Sequence, residues 1–130
     1  KTAAESVNYQ GLIIGGDLNL VGGILPLQML IAQGEGLIAD TDTLGDLLVV
    51  EALQPDGQGV QTWQEDGQSY TPGRLDFLMV TESSLKPVKP FVLDTDDLTL
   101  QSLEELGLQA DDTTHASDHL PVVVDLTPTK

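Results

Sequence analysis

The sequence predicts a single domain of mixed α/β (α+β) class. Three observations carry that expectation. Residues 12–14, 75–80 and 121–126 are short apolar runs of strand length. Residues 99–106 space Leu100, Leu103 and Leu106 as one face of a helix requires. The chain has 130 residues, 40% of them hydrophobic, which suits one core.

Taken in order, the elements are as follows. Leu12-Ile13-Ile14 reads as a buried strand that stops at a tight turn in Gly15-Gly16. Residues 24–32 predict a short helix, with Pro26 in its first turn and Gly34 as its stop. Residues 44–53 are apolar and fit either a helix or a strand. Residues 54–73 are rich in Gly, Gln, Asp and Pro, so they predict mostly loop, with Thr62-Trp63 as a short strand inside it. Residues 75–80 predict a buried strand and residues 91–93 another. Residues 99–106 predict a helix ended by Gly107. Residues 121–126 predict a final strand, with proline tolerated at its first position.

Composition excludes several classes. The chain holds no cysteine, which rules out disulfides and thiolate zinc sites. It has no apolar run of membrane-spanning length, so no membrane span is expected. Lys1 is not a start methionine and nothing near it reads as a signal peptide, so a processed product or a fragment is expected. Twenty-one acidic residues against 5 basic ones give a formal net charge of -16. Such a surface repels nucleic-acid backbone at long range and attracts divalent cations. The simpler reading, and the favoured one, is an acidic surface kept for solubility or adaptation to salt.

Three segments place polar residues at the ends of apolar runs, where open sheets usually build sites. In Gly16-Asp17-Leu18-Asn19, Asp17 and Asn19 share one side of an extended chain and offer oxygens to a hard cation, or a base and a donor. Both are also ordinary turn residues. In Arg74-Leu75-Asp76-Phe77, alternation sets Arg74 and Asp76 on one face. An acid in an apolar strand needs a partner: Arg74, a histidine or a metal. In Ser117-Asp118-His119-Leu120-Pro121, a carboxylate adjoins an imidazole that titrates near neutral pH. The other histidine, His115, reads as a loop residue without a role.

In this order the three motifs resemble the endonuclease/exonuclease/phosphatase family, which includes pancreatic-type deoxyribonucleases, apurinic/apyrimidinic endonucleases, inositol polyphosphate 5-phosphatases and bacterial sphingomyelinases. The resemblance runs from about Leu12 to Leu126. Tyr70 to Phe77, with Phe91-Val92-Leu93-Asp94-Thr95, looks like a secreted nuclease-like branch, which favours a secreted bacterial protein.

The resemblance implies a phosphodiester hydrolase, in the first place a nuclease, using Mg2+ or Mn2+, with Ca2+ as a further candidate. It assigns Asp17 to the attacking water or a metal, and Asn19 to the scissile phosphate or a metal. Asp76 orients His119, Asp118 ligates metal, and His119 binds the phosphate and stabilises its developing charge. Phe77 stands where the family often has tyrosine, so any hydrogen bond from that hydroxyl is lost. The alternatives are a phosphatase or phospholipase acting on small or lipid phosphates, or a non-catalytic half-domain used for interaction.

The family fold is a four-layer α/β/β/α sandwich of two similar halves, on the order of 250 residues. This chain is expected to be its C-terminal half. The family's first half carries an Asn, a metal-binding Glu and a further His; here the piece ahead of Gly16 looks only like the end of a helix. The half is therefore expected to bind metal weakly, to be inactive alone, and to cover an apolar sheet face with the missing N-terminal half or a second copy.

Overall fold

The structure, a computed structural model, describes residues 11–31, 47–65, 67 and 69–129. The helix stop expected at Gly34, the first residues of the 44–53 run and most of the expected helix end ahead of Gly16 lie outside them. The fold is α+β. In chain order it comprises β1 (Ile13–Asp17), α1 (Leu25–Ile31), β2 (Leu47–Val49), β3 (Asp76–Thr81), β4 (Leu85–Val92), α2 (Leu100–Leu106), α3 (Asp112–Ala116) and β5 (Val122–Pro128). One antiparallel sheet has the order β1-β3-β2; β4 and β5 form a second, two-stranded antiparallel sheet.

The central position of β3 follows from its composition. Phe77 and Met79 project to one face by the two-residue period of a strand, and both are buried in a cluster with Leu27 of α1 and Leu47 of β2. Ile14 pairs with Met79 and packs on the same cluster. Val80, on the opposite face, is also fully buried. A continuous apolar run is what a strand covered on both faces needs.

β1 does not stop at its glycines. It runs through Gly15 and Gly16 to Asp17. Gly15 lies opposite Leu78, where an added Cβ would come 3.0 Å from Leu78 Cδ1, so the glycine permits close pairing and does not end the strand. The ambiguous 44–53 run is strand in β2, and Leu53 beyond it forms a single parallel bridge with Phe91.

β4 is longer than the expected 91–93 strand and contains Pro87 and Pro90. A two-stranded ribbon tolerates proline because each strand is an edge. Between Val88 and Phe91 the register slips, with Lys89 at φ 48, as a bulge requires. Leu93 N–H donates to the Pro121 carbonyl at 2.8 Å, and Ala52, Val92 and Leu120 pack together, which fixes the start of β5.

Thr99 caps α2 by accepting from Ser102 N–H at 3.1 Å, and Gly107 ends it in the left-handed conformation, φ 70. α3 corrects the sequence reading, which put His115 in a loop. Four of its five residues, Asp112, Thr113, Thr114 and His115, are weak helix formers. The turn is held by tertiary contact: the buried Thr113 hydroxyl lies 2.9 Å from Thr95 Oγ1 and donates to Asp94 Oδ1 at 3.3 Å. Among the described residues no helix is long and apolar enough to cross a membrane.

Candidate functional site

The site begins where β1 ends and β3 starts. In the antiparallel register Asp17 stands directly opposite Asp76. Cross-strand partners project to the same face, and two like charges so placed repel. By alternation that face is the one opposite Phe77 and Met79. An arrangement that puts two carboxylates side by side calls for a positive neighbour.

His119 supplies it. Its Nδ1 lies 2.8 Å from Asp76 Oδ2, with the ring 33% exposed and the Asp76 side chain 22% exposed. An ionised carboxylate only accepts, so Nδ1 carries the proton and donates it to Asp76, leaving Nε2 as the other ring nitrogen. The Asp76 hydrogen bond raises the imidazole pKa above its ordinary value. Partial burial opposes this, and the charges of Asp76, Asp118 and Asp17 add to the rise.

Asp118 is held from the other side. Trp63 Nε1 donates to Asp118 Oδ2 at 2.9 Å, and Gln64 N–H donates to the Asp118 carbonyl at 3.0 Å. The indole bond, more than any other contact, lowers the Asp118 pKa below the usual carboxylate value, with His119 contributing. Ser117 Oγ accepts from His119 N–H at 3.0 Å and shapes the turn between them.

One segment ties these parts together. Thr62 is buried, and its Oγ1 accepts from both Leu75 N–H at 3.0 Å and Asp76 N–H at 2.9 Å. Its carbonyl accepts from Leu120 N–H at 2.7 Å. Trp63 bridges to Gly73 on one side and to His119 on the other. Gln64 Nε2 donates to Asp94 Oδ2 at 2.9 Å. Sequence reasoning gave Thr62-Trp63 no more than a short strand in a loop. The signal there was a strand-favouring pair, a β-branched residue beside the chain's one tryptophan, amid Gly, Gln and Asp.

The structure thus gathers Asp17, Asp76, Asp118 and His119 at one place. Asn19 lies beside them in a turn: its N–H donates to Asp17 Oδ1 at 2.7 Å, and its φ of 48 is one that asparagine tolerates. Arg74 is not the partner of Asp76. It donates to Glu51 Oε2 at 2.9 Å and to the Val50 carbonyl at 2.8 Å, and sits 4.7 Å from the Phe77 ring centre. Arg74 precedes the first residue of β3, so the strand alternation does not reach it. His115 stays apart from the site, paired with Asp111 at 3.4 Å on the surface of α3.

A hard cation needs several oxygens at once. Among the described residues no group of three or more His, Cys, Asp or Glu side chains is placed to hold a metal ion. Asp118 Oδ2 is engaged by the indole and Asp17 Oδ1 by the Asn19 amide. No family model, no curated protein and no solved structure matches this chain.

Proposed function

We propose that this chain is the C-terminal half of a divalent-metal-dependent phosphoesterase that hydrolyses phosphodiester bonds, with a counterpart half completing a four-layer sandwich. The observation that carries the reading is the Asp76–His119 hydrogen bond beside Asp17. Three segments far apart in sequence meet there, in the combination that phosphoryl chemistry uses. A protonated His119 donates from Nε2 to a phosphoryl oxygen and stabilises the charge that grows there. Asp76 fixes its tautomer and orientation. Asp17 orients and deprotonates the attacking water, and Asn19 steadies the phosphate. Mg2+ or Mn2+ would neutralise the phosphate when bound, and it requires carboxylates from the counterpart half in addition to those present here.

Nucleic acid is the favoured substrate by the resemblance of the motifs. The net charge of -16 supports a second reading, a small or lipid phosphate, because nucleases commonly present basic surface. The deciding experiment measures hydrolysis of a chromogenic phosphodiester, with and without chelator, by the protein that joins this half to its counterpart. Metal-dependent turnover that disappears in His119→Ala is the expected result. Wild-type turnover in His119→Ala, or turnover indifferent to chelator, rejects the reading.

A further inference from the structure

The Asp118 carboxylate lies in the turn ahead of β5, beside His119, and its strongest side-chain contact is an indole N–H at 2.9 Å. Its partner is unusual in kind. An indole N–H donates and never accepts, so it cannot take a proton from the site or compete for the imidazole. It also brings a rigid ring with few rotatable bonds. Trp63 itself is pinned through its backbone: its N–H donates to the Gly73 carbonyl at 3.0 Å, and its carbonyl accepts from Gly73 N–H at 3.1 Å. The neighbouring Thr62 and Gln64 grip the start of β3, which carries Asp76, and the turn that carries Asp118.

From this geometry we propose that Trp63 is a positioning residue: its indole N–H fixes the Asp118 carboxylate, and with it the turn that presents His119. Oδ2 is taken by the indole, while Oδ1 meets a long 3.5 Å contact from Ser117 Oγ, so Oδ1 is the oxygen we assign to chemistry. A lowered Asp118 pKa accords with such a bond. The consequence for turnover rests on the phosphoesterase reading; the hydrogen bond itself does not.

The test has two arms. Trp63 is the single tryptophan, so the full chain gives one indole N–H resonance in a nitrogen-resolved NMR spectrum. Asp118→Ala is expected to move that resonance and speed its exchange with solvent, Asp118→Asn to do so less, and Asp76→Asn to leave it nearly in place. An indole resonance indifferent to both Asp118 variants overturns the assignment. In the second arm, Trp63→Phe keeps a ring and removes the donor. In the protein that joins the two halves it is expected to lower kcat about tenfold with KM nearly unchanged, and to add nothing in an Asp118→Ala background. A loss that persists in full in that background means the ring acts on substrate directly, and also overturns the assignment. If no phosphodiester is hydrolysed while Asp118→Ala still moves the indole resonance, the phosphoesterase reading fails and Trp63 stands as the group that fixes Asp118.

Discussion

Two aspartate–histidine pairs lie within a few residues of each other in this molecule, and they differ in every respect that matters. On α3, His115 meets Asp111 one helical turn away at 3.4 Å, with side chains 77% and 58% exposed. In the turn that follows, His119 meets Asp76 at 2.8 Å across 43 residues of sequence, with side chains 33% and 22% exposed. The first pair is a by-product of helix geometry, which brings residues four apart together whatever the rest of the chain does. The second exists only if β3, the Thr62–Gln64 segment and the turn before β5 have all found their places. Partial removal from water also leaves its electrostatics less screened. A long-range, half-buried pair of this kind is the better candidate for function.

The comparison is broken most severely by removing the two rings. In the proposed phosphoesterase, His119→Ala should lower turnover by about a hundredfold or more, as loss of a transition-state donor does. His115→Ala should leave it unchanged. Equal effects of the two substitutions in the same hydrolysis assay would erase the distinction. Removing the acids should do less. Asp76→Asn frees His119 to rotate without deleting it, so a loss of roughly tenfold is expected, against none for Asp111→Asn.

Stability measurements sharpen the same contrast. Thr62→Val leaves the N–H groups of Leu75 and Asp76 without the acceptor they share, which should cost about 2 kcal/mol in urea unfolding. Asp111→Ala removes only the exposed pair between the residue ahead of α3 and His115, and should cost about 0.3 kcal/mol. A Thr62→Val protein as stable as wild type would mean that the segment does not anchor the site.

The sign of the pH effect is also fixed. The folded-state pKa of His119 is raised above 6.5, chiefly by the Asp76 hydrogen bond. The stabilisation from this pair is therefore fully present below pH 6.5 and is lost as pH rises through the raised value. The difference in urea midpoint between wild type and His119→Gln should accordingly shrink with rising pH. A difference that grows with pH would contradict a protonated His119 facing Asp76.

Much of the framework was legible in the residues. The run at 75–80 identified β3 within one residue at either end, because a strand buried on both faces must be apolar nearly throughout. The spaced leucines and Gly107 located α2, because helical period and a glycine stop act within a few residues. Local signals misled where a distant contact took over. Gly15-Gly16 resembled a turn and is strand, because Leu78 needs the space opposite Gly15. His115 resembled a loop residue and is helical, because Thr113 is anchored to Thr95 and Asp94.

The same division runs through the candidate site. The sequence by itself determined that Asp17, Asn19, Asp76, Asp118 and His119 stand at the ends of apolar runs, since polar residues there follow from local pattern alone. Only the tertiary structure decided that Asp76 takes His119 and not Arg74 as its partner, that Asp17 faces Asp76, and that Trp63 holds Asp118. Those choices depend on strand register and on closing loops of tens of residues. A shift of one residue in the pairing of β1 with β3 would turn Asp17 to the opposite face, and no short-range preference encodes that register.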